Sequence, residues 1–168
     1  MQATTTVAKG PAVPVDARAG KYLTFHLGKE EFGIAVLRVR EIMGVQDITA
    51  VPEMPPCVKG VLNLRGKVIP VVDLRLKFGM PELEYSQRTC IIVVQVEHHG
   101  VPILTGVIVD GVSEVVTFQG GDVEDTPNFG SGVETPYVLG MAKSKGAVKI
   151  LLDIQQALSS QFVCINLF

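Results

Sequence analysis

The chain repeats itself. Gly33 to Ile42 lies over Gly106 to Val115 at a constant shift of 73 residues, with Gly33/Gly106, Val36/Val109, Val39/Val112 and Glu41/Glu114 identical. Val58 to Gly60 lies over Val138 to Gly140, and Gly66 to Leu74 over Gly146 to Ile154, at a constant shift of 80. The order along the chain is therefore A, B, A′, B′. The seven residues by which the two shifts differ fall between A′ and B′, in the Gly- and Pro-rich stretch 119–136. A repeat constrains the whole architecture, because each unit must bury its apolar face against a copy of itself. Two similar lobes of about 70 to 80 residues are expected, each too small for a thick core of its own and so packed against the other. The repeat leaves open which halves share a lobe.

The apolar residues say what the lobes are made of. Val and Ile number 26 and 11 against 14 Leu, and 17 Gly supply tight turns, a bias toward sheet. Strand-like runs are Tyr22–Leu27, Phe32–Val36, Val58–Leu64, Lys67–Val72, Thr89–Val96, Val101–Val109, Val112–Phe118 and Ala147–Leu152. Helix is confined to Asp73–Phe78 and Asp153–Leu158, each opened by an N-cap type residue. The class is all-β with short helices, and a sheet this small hides its edges by curling into a barrel. Two barrels side by side are expected over residues 21–158, with a boundary near 80–88 and strands open to exchange between lobes. Residues 1–20 read as a flexible tail, and 159–168 as a separate, apolar C-terminal segment.

Composition removes several functions. Fifteen Lys and Arg against seventeen Asp and Glu leave a net charge of -2 with no basic block, so nucleic acid is not an expected partner. No apolar run approaches the roughly 18 residues that span a bilayer, and the first twenty residues lack the core of a secretory signal. Cytoplasmic residence without membrane insertion is the expectation. Cys57, Cys90 and Cys164 are odd in number and lack C-x-x-C spacing, as reduced packing thiols would be. His98-His99-Gly100 falls between two strand runs and reads as a hairpin tip, not a metal site. Asp73 and Asp153 occupy the same repeat position at strand-to-helix junctions, where capping accounts for both. With the common phosphate, metal and acyl-transfer motifs missing, no catalytic residue, metal or cofactor is assigned.

The polar residues that depart from a purely structural pattern are also repeated. Glu41 in half A and Arg65 at an Arg-Gly turn in half B have Glu114 and Lys145 at the matching places. A repeated acid and base can be a structural ion pair or serve binding; an exposed pair contributes little to stability, and Arg in the first lobe suits recognition of a partner.

These residues belong to four motifs: F-G-I-x-V-x-x-V-x-E-I from Phe32 to Ile42, K-G-V-x-N-L-R-G from Lys59 to Gly66, V-I-P-V-V-D-L-R from Val68 to Arg75, and G-V-I-V-D-G-V-S-E-V from Gly106 to Val115. In this order they resemble the CheW family of bacterial chemotaxis coupling proteins over residues 21 to about 158. The resemblance implies two SH3-like five-stranded β-barrels and a non-enzymatic adaptor that joins the cytoplasmic hairpin tips of methyl-accepting chemotaxis receptors to the regulatory domain of the histidine kinase CheA. It implies recruitment to membrane-associated receptor arrays. The alternative is a CheW-like scaffold that builds array rings without coupling signals. Carried over by motif, the receptor face comprises Val36, Val39, Glu41, Ile42, Gly60, Asn63, Leu64, Arg65, Val107 and Val109. Ile48, Val51 and Val123 are loop candidates for the kinase contact.

Overall fold

The computed structural model describes residues 18–125 and 137–164. Eleven strands and two helices follow one another as β1 (Gly20–Leu27), β2 (Glu30–Ala35), β3 (Val39–Gly44), β4 (Val58–Leu64), β5 (Lys67–Asp73), α1 (Leu74–Lys77), β6 (Cys90–His98), β7 (Val101–Val109), β8 (Gly111–Phe118), β9 (Val123–Glu124), β10 (Val138–Ser144), β11 (Ala147–Leu152) and α2 (Ile154–Cys164). They form a five-stranded sheet, β3-β6-β7-β5-β4, and a six-stranded sheet, β8-β1-β2-β11-β10-β9. The first is the core of lobe 1 and the second of lobe 2. The fold is all-β and SH3-like.

Strands are traded between the repeats. Half A supplies β1 and β2 to lobe 2, then crosses through the 3-10 turn Val36–Arg38 and supplies β3 to lobe 1. Half A′ does the converse at Asp110, giving β6 and β7 to lobe 1 and β8 to lobe 2. Each lobe is completed by a hairpin of its own, β4–β5 or β10–β11, which joins through the parallel pairs β5/β7 and β11/β2.

Repeat-equivalent geometry extends to the backbone. Arg65-Gly66 and Lys145-Gly146 join the two B-type hairpins with positive φ at both residues (51° and 88°, 53° and 78°), the type I′ geometry that matches strand twist. His99-Gly100 does the same between β6 and β7, so the histidine pair belongs to a hairpin tip. Bulges at Gly60 and Gly140 bend β4 and β10 at the same point, which lets Thr49 bridge to Val61 in lobe 1 as β9 pairs with β10 in lobe 2.

Alternation along the strands then divides the core. On β6, Ile91 and Val93 point into lobe 1, whereas Ile92, Val94 and Val96 point at the other lobe. Among the described residues the inter-lobe core holds eighteen buried side chains, against six inside lobe 1 and five inside lobe 2. At about 25 cal/mol per Å² of buried apolar surface, the seam between the lobes is the largest hydrophobic contribution in the molecule. A row of rings, Phe25–Phe32–Phe78–Tyr137, runs through it with centroids 5.9, 5.8 and 5.2 Å apart. Leu74 of α1 and Ile154, Ala157 and Leu158 of α2 close its ends. Asp73 caps α1 by accepting from the Arg75 N–H at 2.9 Å, and Asp153 accepts from the Gln156 N–H at 3.2 Å.

Three details differ from the sequence expectations. Strands β3, β9 and β10 were not among the expected runs, and α2 continues to Cys164 beyond the expected boundary at 158. Arg18, assigned to the tail, is buried, its guanidinium donating to Asp125 and to the Leu139 carbonyl. Residues 126–136, where most of the extra residues of the second repeat fall, lie outside the described residues, as do 1–17 and 165–168.

Candidate protein-binding face

Strands β3 and β4 stand at opposite ends of the lobe 1 strand order. Glu41 on β3 nevertheless forms an ion pair with Arg65 at the β4–β5 turn, bidentate across both guanidinium Nη atoms. The two ends of the sheet are thus brought round to meet, and the pair spans the opening. Lobe 2 repeats the device with Glu114 on β8 and Lys145 at the β10–β11 turn, 2.8 Å apart. In each lobe the basic partner holds the carboxyl below its ordinary range, by hydrogen bond first and by charge second. Asn63 fixes the Arg65 turn by accepting from the Gly66 N–H at 2.7 Å.

Apolar residues flank both pairs at equivalent places. Ile42 and Val68 in lobe 1, and Val115 and Val148 in lobe 2, are 44% to 54% exposed. Val36 and Val39 lie half-buried at the rim of the inter-lobe core, on either side of Leu37, which is 86% exposed on the crossover turn. Arg40 clasps that turn by donating to the Leu37 carbonyl at 3.0 Å, while its Nε donates to Gln95 at 3.0 Å. The structure therefore gathers Val36, Val39, Glu41, Ile42, Asn63, Leu64 and Arg65 around β3 and the β4–β5 turn.

Three residues of the carried-over face are set apart from it. Val107 and Val109 have no exposed surface and belong to the inter-lobe core; their strand is buried on both faces, so neither side chain reaches a partner. Gly60 has φ 141° at the bulge under Thr49, a role in shape, not contact. Of the kinase candidates, Ile48 lines a shallow hollow with Lys59, Leu83 and Tyr85, and Val51 is half-buried. Val123 is buried against the lobe 2 core because β9 pairs with β10 there.

Sequence reading missed the residues that lock the lobes together. Arg75 donates to the Asp110 carboxylate, which also accepts from the Gly28 N–H at 2.7 Å. This network ties α1 to the A′ crossover and the β1–β2 turn. Arg75 and Asp110 stand in the V-D-L-R and I-V-D-G motifs, and their pairing gives those motifs a structural purpose.

A family model described as the CheW-like domain matches residues 21–162. The chain belongs to the CheW family. CheW-family proteins are non-enzymatic scaffolds or adaptors of chemotaxis signalling complexes. The chemotaxis protein CheW of Klebsiella aerogenes is 37% identical over 141 residues, covering 84% of this chain and 82% of that one. The CheW of Treponema pallidum is 32% identical over 143 residues, covering 83% and 82%. Among solved CheW structures, the scaffolding protein TtCheW from Thermoanaerobacter tengcongensis superposes with a TM-score of 0.73 at 32% identity, over 83% of this chain and 92% of that chain. No helix among the described residues is long and apolar enough to cross a membrane.

Proposed function

We propose that this chain is the adaptor that couples chemoreceptor cytoplasmic tips to the histidine kinase CheA, placing kinase autophosphorylation under receptor control at membrane-associated arrays. The observation that carries the reading is the Glu41–Arg65 ion pair across the lobe 1 opening, with Leu64 beside it and the exposed or half-buried Val36, Val39 and Ile42 on β3 and the turn before it. Apolar side chains beside a fixed ion pair suit a helical hairpin laid against the face, the apolar anchors supplying affinity and the pair register. No group here needs to exchange a proton or form a bond. Coupling of this kind acts through the free energy of contacts that differ between receptor states. Ile48 and Val51, on the loop that follows β3, are proposed to face the kinase.

A second reading has its own support. Ile42 and Val68 in lobe 1 and Val115 and Val148 in lobe 2 are exposed apolar residues at repeat-equivalent places, and two like surfaces suit a bivalent ring-building scaffold. Kinase autophosphorylation with membrane-borne receptors, run with and without the protein, separates the two. Activation that attractant reverses supports coupling. Binding to both partners without a change in phosphorylation supports the scaffold, and binding to neither overturns both.

A further inference from the structure

The lobes are copies, so a feature needed only to build a barrel recurs in both, and one found in a single lobe points elsewhere. The opening spanned by Glu41 and Arg65 is such a case. It is a depression whose floor includes Val93 and Leu104 of the lobe 1 core, and its rim also carries Arg40 and Lys67. Three cations thus face one carboxylate, and Glu41 neutralises only Arg65. Among the described residues the Arg40 side chain bonds only to neutral groups, and no hydrogen bond or ion pair engages the Lys67 side chain. At the equivalent places lobe 2 has Ser113 for Arg40 and Ala147 for Lys67, and Glu31 for the floor residue Leu104; its charges there, Glu114 with Lys145 and Glu31 with Lys149, are paired and leave no surplus. The chain as a whole carries -2. The surplus of two positive charges in lobe 1 is therefore local, set over an apolar floor, and continuous with the face proposed above through Glu41, Leu64 and Arg65.

We infer that the lobe 1 opening is the electrostatic half of the receptor-docking face: it takes a helical receptor segment that presents carboxylates to Arg40 and Lys67 and an apolar side chain to the Val93–Leu104 floor. This rests on the receptor-coupling reading. Rim charges of this type act mainly through the association rate and are screened by salt, whereas the apolar floor is insensitive to salt.

The test measures binding of the full-length chain to two probes, a cognate receptor's cytoplasmic hairpin fragment and the cognate kinase's regulatory domain, across a salt series. Arg40→Glu/Lys67→Glu is expected to bind the receptor fragment at least about tenfold more weakly at low salt, with the gap narrowing at high salt. Lys67→Glu alone, which leaves the Arg40 clasp on the crossover turn untouched, should show a smaller loss of the same form. Lys143→Glu, an exposed charge reversal on β10, should match wild type and exclude an effect of net charge. Undiminished receptor binding by both rim variants, or a loss confined to the kinase domain, overturns the inference while leaving the coupling reading in place. A wild-type chain that binds neither probe removes the reading and the inference together.

Discussion

Gly60 sits so close beneath Thr49 that a Cβ at position 60 would overlap the Thr49 carbonyl oxygen. The same carbonyl accepts the Val61 N–H at 2.9 Å, so it cannot retreat without breaking the bridge that closes this side of lobe 1. With φ at 141°, the backbone itself also favours glycine. Gly60→Ala is expected to cost about 3 kcal/mol or more in urea unfolding. Gly140→Ala should behave alike, since its Cβ would lie 2.5 Å from the Glu124 carbonyl. A Gly60→Ala variant that folds normally but loses its partners would restore this glycine to the contact face.

The second lobe carries a charge pair where the first is apolar. Lys149 on β11 is almost wholly buried and pairs with Glu31 on β2; the repeat-equivalent positions in lobe 1 are Ile69 and Leu104. Removing one partner leaves the other uncompensated, so Lys149→Ala should lose about 3 to 5 kcal/mol. Replacing both with the lobe 1 residues, Lys149→Ile with Glu31→Leu, should be near neutral or stabilising. A double variant as unstable as the single one would show that lobe 2 cannot accept the packing of lobe 1.

Thr105 on β7 is buried with no hydrogen-bond partner for its hydroxyl among the described residues. Thr105→Val preserves shape and removes the stranded group. A gain of about 1 kcal/mol in stability is expected; a loss would mean that the hydroxyl is satisfied.

Burial raises the Asp73 carboxyl above its ordinary range, against the lowering effect of the N–H groups it caps and of Lys59. A group that binds its proton more tightly when folded stabilises the fold fully below its unfolded pKa, and this is lost as pH rises through the folded value. Asn caps as well as Asp. The stability of wild type relative to Asp73→Asn should therefore increase as pH falls from neutral toward the ordinary carboxylate pKa. A flat difference across that window would contradict the burial effect.

Arg65 and Lys145 hold equivalent places, and both side chains are largely exposed. Alanine at either should leave the folded state intact. If the first lobe carries the recognition, Arg65→Ala alone should weaken receptor coupling, read as lost kinase activation. Equal losses from both variants would make the pairs structural.

What could be read from the sequence tracks where the repeat is informative. The shifts of 73 and 80 place Glu41 with Arg65 and Glu114 with Lys145 in like settings, and the Arg-Gly and Lys-Gly turns declare themselves. The exchange of strands was not legible, because β3 and β8 leave their own hairpins for contacts made far away in the chain. Strand β3 escaped notice since Arg40 and Glu41 interrupt its apolar pattern, and β10 since Gly140 and Lys143 do. Val107 and Val109 were misplaced although their strand carried the warning: from Gly106 to Val109 no polar residue intervenes, the mark of a strand buried on both faces. Arg40 and Lys67 became meaningful only by contrast with Ser113 and Ala147 across the finished lobes.

The crossovers at Val36–Arg38 and Asp110 have a mechanical consequence. Each lobe is stitched with strand from both repeats, so neither can be cut out, and neither can melt while its neighbour stays whole. Heating should release both in a single calorimetric step. A partner that tugs on one end of such a body loads the other through covalent chain, with no hinge between them to absorb the pull.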